Sequence, residues 1–471
     1  MLRFLNFFPL LFLLPPLLFG PAVAQDRLPP AVRAALERAQ VPPEAVSILV
    51  QPVGPRSTTR LSHRAQVSMN PASVMKLITT FAALETLGPS FTWRTPVFVE
   101  GTLRDGTLTG NLYIKGQGDP KLVVERLWLL MRRVRSLGIQ KIDGDIVLDH
   151  SAFQVGAPDP GDFDGEPFRP YNASPDALLF NFKSVIMTSV PDRANMSARV
   201  NFEPPLAGVA MQAQVPLSEG PCGDYLGGLR ADFSDPTRIR FAGRYPASCG
   251  EKVWPVAYAE PASYGLRAVE GIWRDIGGQL SGKVRDGQVP TGLEATFEFS
   301  SQALAEVIRD INKYSNNVQA QQLFLTLSLQ DRGVGTLHGS RELVQTWWRE
   351  RFGTDDVPRL ENGSGLSRED RISAQALARL LQYAWASPLM PELMNSLPIS
   401  GTDGTLKRYR SRAQGSAHLK TGSLRNVVAV AGFAHAASGQ RYIVVFMINH
   451  AFASAARPAV DALLEWAVKD Q

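Results

Sequence analysis

The stretch NPASVMKL, residues 70–77, begins a helix on which the interpretation of the whole chain depends. Asn70 is a good N-terminal cap, the following proline suits the first helical position, and Gly88 suits the end of the helix. The intervening sequence ASVMKLITTFAALETL is apolar nearly all round, which predicts a helix buried in the middle of a domain. A buried lysine is costly unless it has a purpose. Ser73 and Lys76, one turn apart, are therefore either part of a solvated face or a nucleophile and its base.

Two further motifs decide between these interpretations. Residues 73–76 are the only S-x-x-K of the sequence, and K-T-G occurs once, at 420–422. S-x-N occurs twice: residues 68–70 adjoin the serine and are interpreted as part of its cap, whereas residues 315–317 follow a predicted helix. A serine–lysine helix start, an S-x-N loop and a K-T-G strand in this chain order predict acyl-serine chemistry.

The Ser73–Lys76 spacing has a direct chemical meaning. At a helix N-terminus, Ser73 would lie beside free N–H groups and the positive end of the helix dipole, which favour charge developing on an attacked carbonyl. Lys76 lies on the same helix face and can reach the serine Oγ. To accept a proton the lysine must be neutral, so its pKa must fall by roughly 3, at a cost of about 4 kcal/mol. Burial and a second cation, for which Lys420 is the candidate, both lower that pKa.

The other motif residues complete the predicted site. Ser315 can relay a proton to a leaving amine, and Asn317 can hold both the lysine and a substrate amide. Gly422 would let a substrate backbone pair closely with the strand edge. The backbone N–H groups of Ser73 and Ser423 are the expected oxyanion donors.

Composition bounds the remaining possibilities. A chain of 471 residues predicts two or three domains, and 44% hydrophobic with 20% charged residues is typical of a folded soluble protein. The net charge is +5, but no long Lys/Arg block predicts a nucleic-acid partner. The six histidines form neither an H-E-x-x-H nor an H-x-x-E-H motif, so we predict no metal and no cofactor.

The N-terminus, MLRFLNFFPLLFLLPPLLFGPAVAQ, has the features of an export signal. One cation at Arg3 precedes an apolar run and the small-x-small sequence at 22–24, which predicts cleavage after Ala24. A retained membrane anchor is the alternative, because the run approaches the length that spans a bilayer. We therefore expect a mature protein in the periplasm or extracytoplasmic envelope, with loose membrane association left open.

The sequence contains two cysteines, Cys222 and Cys249. In an exported chain a lone pair of cysteines favours a disulfide over two free thiols. Their flanks, GPCGDY and PASCGE, are turn-like, so the bridge would staple a loop-rich region.

Changes in sequence texture predict a split architecture. Residues 25–95 and 262–471 are assigned to one catalytic domain, and residues 96–261 to a β-rich insertion between its halves. Within the insertion we expect two subdomains, at about 96–160 and 161–255.

Two hairpins are predicted from local sequence. Residues 95–116 contain two strands joined around Asp105-Gly106, a strong turn signal. Near the end, residues 417–435 and 441–450 are alternating and β-branched, and are interpreted as one antiparallel hairpin with its turn at Ser438-Gly439. The K-T-G motif lies on the first strand of this hairpin.

With these motifs the sequence resembles the acyl-serine penicillin-binding protein and β-lactamase superfamily. Within it, the chain resembles the D-alanyl-D-alanine carboxypeptidase/endopeptidases that have a large insertion after the nucleophile helix. The middle motif S-N-N departs from the S-D-N of class A and the Y-x-N of class C β-lactamases, which fits this subgroup. Supporting stretches are GQGDP, GDIVLDHSAF, YNASPDALLFNF, ENGSGLSR, GTDGTLKRY and LKTGSLRN.

The resemblance implies both fold and function. The expected fold class is α/β (α+β): a serine β-lactamase/transpeptidase-like domain with an antiparallel sheet flanked by helices, plus inserted β-rich domains. The implied partners are peptidoglycan stem peptides and cross-links, which would be hydrolysed through an acyl-Ser73 intermediate that β-lactams trap. Lys420 and Thr421 would bind the carboxylate next to the scissile bond.

Three alternatives stay open at this point. A β-lactamase or esterase on the same scaffold would need a water-activating group, which the sequence does not reveal. A non-catalytic envelope-binding module would make the motifs vestigial. The ENGSGLSR stretch is either part of the site rim or plain turn chemistry.

Overall fold

The computed structural model describes residues 27–54, 58–156, 158–409 and 411–470. The predicted signal segment, residues 1–24, lies outside these ranges. Across the described ranges, none of the helices has the length and apolar character needed to cross a membrane.

The described chain combines helices with several sheets. The α-helices are α1 (Pro30–Arg38), α2 (Lys76–Leu87), α3 (Val124–Ser136), α4 (Tyr225–Leu229), α5 (Pro261–Asp275), α6 (Leu304–Lys313), α7 (Asn317–Arg332), α8 (Leu337–Phe352), α9 (Ala374–Ala386), α10 (Met390–Ser396) and α11 (Arg457–Lys469). A short 3-10 turn, Ala72–Met75, leads directly into α2.

The strands, in chain order, are β1 (Val46–Pro52), β2 (Leu61–His63), β3 (Ser68–Met69), β4 (Thr92–Val99), β5 (Thr102–Arg104), β6 (Thr107–Thr109), β7 (Leu112–Lys115), β8 (Lys141–Ile142), β9 (Ile146–Asp149), β10 (Ser184–Asp192), β11 (Ser197–Glu203), β12 (Ala210–Met211), β13 (Gln214–Ser218), β14 (Ala231–Asp232), β15 (Arg238–Phe241), β16 (Tyr245–Pro246), β17 (Lys252–Ala257), β18 (Gln279–Leu280), β19 (Val284–Asp286), β20 (Phe297–Ala303), β21 (Ile372–Ser373), β22 (Ala417–Leu424), β23 (Val427–His435) and β24 (Arg441–Asn449).

The sheet that carries the site is antiparallel, with strand order β2-β1-β24-β23-β22. Its strand β24 reads RYIVVFMIN, a nearly continuous apolar run, because both of its faces are buried. On one face, Ile443, Val445 and Met447 pack in a core with residues of α2, α7 and α9. On the other face, Val444, Phe446 and Ile448 pack in a core with residues of α1 and α11. The sheet is therefore the middle layer of a helix–sheet–helix sandwich.

The terminal hairpin prediction is wrong in one respect. The stretch 417–435 forms two strands, β22 and β23, which pair in register from Ala417–Ala434 to Leu424–Val427. The chain reverses at Arg425-Asn426, where Asn426 has a φ of 68°. An apolar, β-branched sequence resumes directly after this turn, because nearly all of β23 is buried, and asparagine marks a turn less clearly than glycine, so the sequence pattern concealed the reversal. The K-T-G motif lies on β22, an edge strand of the three-stranded meander β22-β23-β24.

The other predicted hairpin forms as β5 and β6 around Asp105-Gly106. Both turn residues have positive φ, 47° and 80°, as a tight two-residue hairpin turn requires. The flanking strands β4 and β7 pair with each other in a neighbouring sheet, so each long strand expected from the sequence is divided between two sheets.

The inserted region has its own core. Apolar side chains of α3, α5, β7, β9, β10 and β11 share one buried cluster. Helix α5 and strands β18 to β20 belong with this region, because β20 pairs with β4 and β19 pairs with β9. This packing favours a return of the chain to the catalytic unit near residue 303, later than the predicted residue 262. Cys222 and Cys249 form a disulfide in this region, within the same apolar cluster.

Candidate active site

The turn that carries Ser73 is fixed to the central sheet by Asn70. The Asn70 backbone N–H donates to Asn449 Oδ1 at 2.8 Å, and Asn449 Nδ2 donates to the Asn70 carbonyl at 3.0 Å. The Asn70 Oδ1 atom accepts a hydrogen bond from the Ala72 N–H at 2.8 Å. The predicted N-cap is one residue too early, because the helical turn begins at Ala72 and its N-cap is Pro71, so Asn70 stabilises the bend that precedes the helix. Ala72 itself has a φ of 47°, in the left-handed region that non-glycine residues rarely adopt. This constrained turn presents Ser73 at the start of the buried helix.

Lys76 is completely buried and directed at the serine. Its Nζ lies 2.9 Å from Ser73 Oγ, 2.6 Å from Asn317 Oδ1 and 2.5 Å from the Ser364 carbonyl oxygen. Burial and the nearby Lys420 cation lower the pKa of Lys76 well below its ordinary value, and the Asp370 carboxylate acts in the opposite direction. An uncharged lysine is thereby favoured beside the serine.

The S-x-N turn lies between α6 and α7. Ser315 adopts a φ of 58°, and Asn316 caps α7 by accepting a hydrogen bond from the Gln319 N–H at 3.0 Å. Asn317 is the first residue of α7, so its amide enters the site at a helix start while its Oδ1 contacts Lys76.

The K-T-G strand supplies the second lysine. Lys420 is fully buried, and its Nζ donates to Ser315 Oγ at 3.0 Å and to the Thr421 carbonyl at 2.6 Å. Burial lowers the pKa of Lys420 to about 7. The adjoining Gly422 is required sterically, because a Cβ there would lie 2.4 Å from the Pro71 carbonyl oxygen. The glycine therefore lets β22 pass close to the nucleophile turn, a constraint internal to the protein that differs from the predicted contact with substrate backbone.

The structure brings the predicted catalytic residues together as two neighbouring hydrogen-bonded series. Ser73, Lys76 and Asn317 form one hydrogen-bonded series, and Lys420 with Ser315 forms another. The side chains or backbone of Ser73, Ser315, Asn317 and Ser423 line a common open cleft of about 750 Å³.

The outer residues of the K-T-G strand are also placed beside this group. Thr421 Oγ1 lies 2.7 Å from Thr405 Oγ1, and Ser423 Oγ accepts a hydrogen bond from Arg457 at 2.9 Å. The Cys222–Cys249 disulfide lies apart, in the inserted region.

The ENGSGLSR stretch forms a wall of the site. The Ser364 carbonyl contacts Lys76, and the Gly363 carbonyl accepts a hydrogen bond from Thr79 at 2.7 Å. Just beyond it, Asp370 is fully buried, with its Oδ1 accepting the Glu361 N–H at 2.8 Å and its Oδ2 without a hydrogen-bond partner. Burial raises the pKa of Asp370 to about 7. Sequence analysis missed Asp370, since a lone aspartate after a glycine-rich turn carries no motif.

Sequence analysis also missed the lip that the insertion contributes to the cleft. Residues 162–165 and Tyr171 line the cleft together with Ser423 and Arg425. The Arg368 guanidinium lies over the Phe163 ring at 4.7 Å, which ties this lip to the catalytic unit. Such a contact joins residues about 200 positions apart in the sequence, and no local pattern predicts it.

A serine and a buried lysine of lowered pKa at a helix start, flanked by an S-x-N turn and a K-T-G edge strand, define the penicillin-binding class of acyl-serine enzymes. The model for the D-Ala-D-Ala carboxypeptidase 3 (S13) family matches residues 30–469, and the chain belongs to this family. It is a serine-type D-alanyl-D-alanine carboxypeptidase, as the resemblance implied.

Curated relatives extend over most of the chain. The D-alanyl-D-alanine carboxypeptidase DacB of Haemophilus influenzae is 26% identical over 387 residues, which cover 80% of each chain. The D-alanyl-D-alanine carboxypeptidase of Actinomadura sp. (strain R39) is 27% identical over 427 residues, or 83% of this chain and 75% of the relative.

Solved structures confirm the predicted fold class. Penicillin-binding protein 4 of Haemophilus influenzae has a TM-score of 0.72 and 22% identity, over 92% of this chain and 99% of that one. A predatory endopeptidase of Bdellovibrio bacteriovorus has a TM-score of 0.53 and 15% identity, over 90% and 93% of the two chains.

Proposed function

We propose that Ser73 is the nucleophile and Lys76 the general base in hydrolysis of the D-Ala–D-Ala bond of peptidoglycan stem peptides. The observation that carries this assignment is the 2.9 Å separation between Ser73 Oγ and the fully buried Lys76 Nζ, whose pKa is lowered. A neutral lysine at hydrogen-bond distance can take the hydroxyl proton as the oxygen attacks.

In the acylation step, Ser73 Oγ forms a bond to the carbonyl carbon of the penultimate D-alanine and its proton passes to Lys76. The N–H groups of Ser73 and Ser423 stabilise the oxyanion. The C–N bond then breaks, and the leaving amine of the terminal D-alanine takes a proton through Ser315, whose hydroxyl Lys420 contacts at 3.0 Å. The product is an ester on Ser73 and a free D-alanine.

Deacylation repeats the same proton transfers with water. Water gives a proton to Lys76, its oxygen attacks the ester carbonyl, and the C–O bond to Ser73 breaks as Oγ recovers a proton. Asn317 holds both the lysine and the acyl amide in place. The cycle thus returns to a free serine. A β-lactam would acylate the same serine, so the enzyme would be trapped at the ester stage of this reaction.

The substrate carboxylate would lie against Lys420 and Thr421. A buried lysine with a pKa of about 7 is readily protonated when an anion binds beside it, because an opposite charge favours the charged form. Asp162 and Asp164, which line the cleft, suit a substrate that carries a free amino group.

Cutting of D-alanine cross-links is the second activity that we propose. The cleft is open rather than enclosed, so a bulkier leaving group than free D-alanine can extend from it. Incubation with purified monomeric pentapeptides and with cross-linked dimers, followed by chromatography of the products, measures the balance of the two activities. Failure to release monomers from the dimers would restrict the chain to carboxypeptidase activity.

We further propose an exported, periplasmic location, from the N-terminal signal sequence.

Labelling with a fluorescent penicillin tests the acyl-serine assignment. The unaltered protein should form a stable covalent adduct, Ser73→Ala should form none, and the control Ser68→Ala should label normally because Ser68 is an exposed residue on β3. Rapid loss of label with turnover of the drug would favour the β-lactamase alternative. Labelling that persists in Ser73→Ala would overturn the assignment of the nucleophile, and no label on the unaltered protein would favour a non-catalytic binding module.

A further inference from the structure

A loop before the K-T-G strand places a second hydroxyl beside that of Thr421. Thr405 lies in the short 3-10 turn Gly404–Leu406, and its Oγ1 is 2.7 Å from Thr421 Oγ1. Thr405 is exposed and Thr421 is half-buried, so the pair is accessible to a ligand. Two hydroxyls in contact share one hydrogen bond, which leaves one further O–H free to donate elsewhere.

An ion pair between buried Lys313 and half-buried Asp403 anchors this loop. Asp403 Oδ2 lies 2.6 Å from Lys313 Nζ, and the Lys313 side chain is only 5% exposed. Asp403 Oδ1 accepts the Ile399 N–H at 2.8 Å, which closes the loop on itself. Burial of Asp403 is outweighed by the Lys313 hydrogen bond and the Ile399 N–H, which together lower its pKa. The aspartate therefore fixes the loop at two points.

The backbone confirms how closely the loop approaches helix α6. A Cβ on Gly404 would lie 2.4 Å from the Lys313 carbonyl oxygen, and Gly404 has a φ of 54°. Position 404 therefore accepts glycine for both steric and conformational reasons.

The same ion pair joins two motif segments. Lys313 lies two residues before Ser315, and Asp403 lies two residues before Thr405. The ion pair therefore links the S-x-N turn, whose Ser315 contacts Lys420, to the loop whose Thr405 contacts Thr421. A displacement of the loop would therefore change the distance between the proton relay and the carboxylate contacts.

We propose that Thr405 is a substrate-binding residue: when the terminal carboxylate binds, the Thr405–Thr421 hydrogen bond is exchanged for one hydrogen bond from each of the two hydroxyls to the carboxylate. We further propose that Lys313 and Asp403 are positioning residues for it. This inference rests on the proposed assignment of Lys420 and Thr421 to the substrate carboxylate. A carboxylate has about four acceptor positions, enough for the lysine and both threonines. Recognition of a free C-terminal carboxylate is then shared by two segments, the K-T-G strand and the 399–406 loop.

Kinetics on two matched peptides test the role of Thr405. The substrates are an α-acylated L-Lys-D-Ala-D-Ala tripeptide and the same tripeptide with a C-terminal amide. Thr405→Val removes the hydroxyl at nearly constant volume, and should lower kcat/KM for the carboxylate peptide by about tenfold or more, mainly through KM, because hydrogen bonds to charged groups are strong. The amide peptide should change less than about twofold, and Thr405→Ser should restore the carboxylate preference.

The control is Thr402→Val, on the same loop, whose hydroxyl faces the Ser400 carbonyl at 3.4 Å. It should leave both peptides unaffected. An equal fall in kcat/KM for the two peptides in Thr405→Val would overturn the proposal and assign the threonine a purely structural role. Absence of a penicillin adduct on the unaltered protein would instead mean that the proposed function has failed.

The positioning role is tested by Asp403→Asn, which keeps the Oδ1 acceptor for Ile399 but removes the charge opposite Lys313. It should lower kcat/KM for the carboxylate peptide selectively, and Asp403→Asn combined with Thr405→Val should lose no more than the larger single effect. Additive losses would contradict coupling through Thr405. Circular dichroism and penicillin labelling of each variant verify that it is folded and retains its nucleophile.

Discussion

Two clusters of buried ionisable side chains lie in different parts of the molecule, and their charges are arranged in opposite ways. In the catalytic unit, Lys76 and Lys420 are both fully buried, and the pKa of each is lowered. In the inserted region, Asp176 lies 2.5 Å from His150 Nδ1 and 3.0 Å from Lys183 Nζ, so opposite charges alternate.

The pKa values follow from these arrangements. Burial opposes the ionisation of Asp176, but the His150 hydrogen bond and the Lys183 cation outweigh it and hold its pKa well below the usual range. Burial likewise opposes a charge on His150, but Asp176 and Asp286 outweigh it and raise its pKa. Each member of the paired cluster is thus held in its charged form, whereas burial favours the uncharged form of both lysines, as the proposed proton-acceptor role of Lys76 requires.

The largest effect is expected for Lys76→Met. Removal of the proton acceptor should lower the rate of penicillin acylation by about a thousandfold or more, within the range attributed to general-base catalysis. Because an unfavourable buried amine is removed, the variant should unfold at the same or a higher temperature. Stopped-flow labelling and calorimetry measure the two quantities. A variant that is both active and less stable would place Lys76 with the structural cluster.

Asp176→Asn should act in the opposite way. Loss of one member of a partly buried ion cluster should destabilise the protein by about 3 kcal/mol, while acylation per folded molecule stays within about twofold. Exposed Glu298, paired with Arg94 at 3.0 Å, provides the control: Glu298→Gln should cost less than about 1 kcal/mol. Urea unfolding measures both.

The Asp176 effect should also depend on pH. The raised pKa of His150 means that its contribution is complete below its unfolded value of 6.5 and is lost as the pH rises through the folded value. The lowered pKa of Asp176 means that its contribution is complete above its unfolded value of 3.8 and is lost only at lower pH. The difference in the free energy of unfolding between wild type and Asp176→Asn should therefore be largest between pH 3.8 and pH 6.5, and should shrink at higher pH. A difference that grows above pH 7 would contradict this charge assignment.

The disulfide should affect stability and not chemistry. Cys222 and Cys249 close a loop with a sequence separation of 27, and replacing both with serine should destabilise the inserted region by about 2–4 kcal/mol. Acylation at 25 °C should be unchanged, because the bridge lies in the inserted core. A large fall in acylation in a folded double variant would show that the inserted region controls the cleft directly.

The smallest effect is expected for Asp370→Asn. The Asp370 carboxylate raises the pKa of Lys76, in opposition to burial and Lys420, so its removal should lower that pKa further. The acid limb of the acylation rate should consequently move to lower pH, and the rate above pH 8 should stay nearly constant. A pH–rate profile of penicillin acylation checks this sign. Movement of the limb to higher pH would exclude Asp370 as an electrostatic neighbour of the base.

Some features could be predicted from local sequence because short-range physics determines them. The end of the helix at Gly88 and the turn at Asp105-Gly106 each depend on the backbone preferences of one or two residues. The reversal at Asn426 escaped prediction because an apolar, β-branched sequence resumes directly after it. The packing of α5 into the core of the inserted region could not be predicted, because the sequence of a helix does not reveal which core it enters.

From its sequence alone, the chain could be assigned a serine–lysine helix start, an S-x-N turn and a K-T-G strand, because each motif is a contiguous set of residues with its own chemistry. Only the folded chain could bring the Ser364 carbonyl and Asn317 to Lys76, or Thr405 to Thr421. Likewise, only tertiary packing buries both lysines and so lowers their pKa values. The reason is physical: desolvation and hydrogen bonding depend on distances between segments that lie far apart in the sequence.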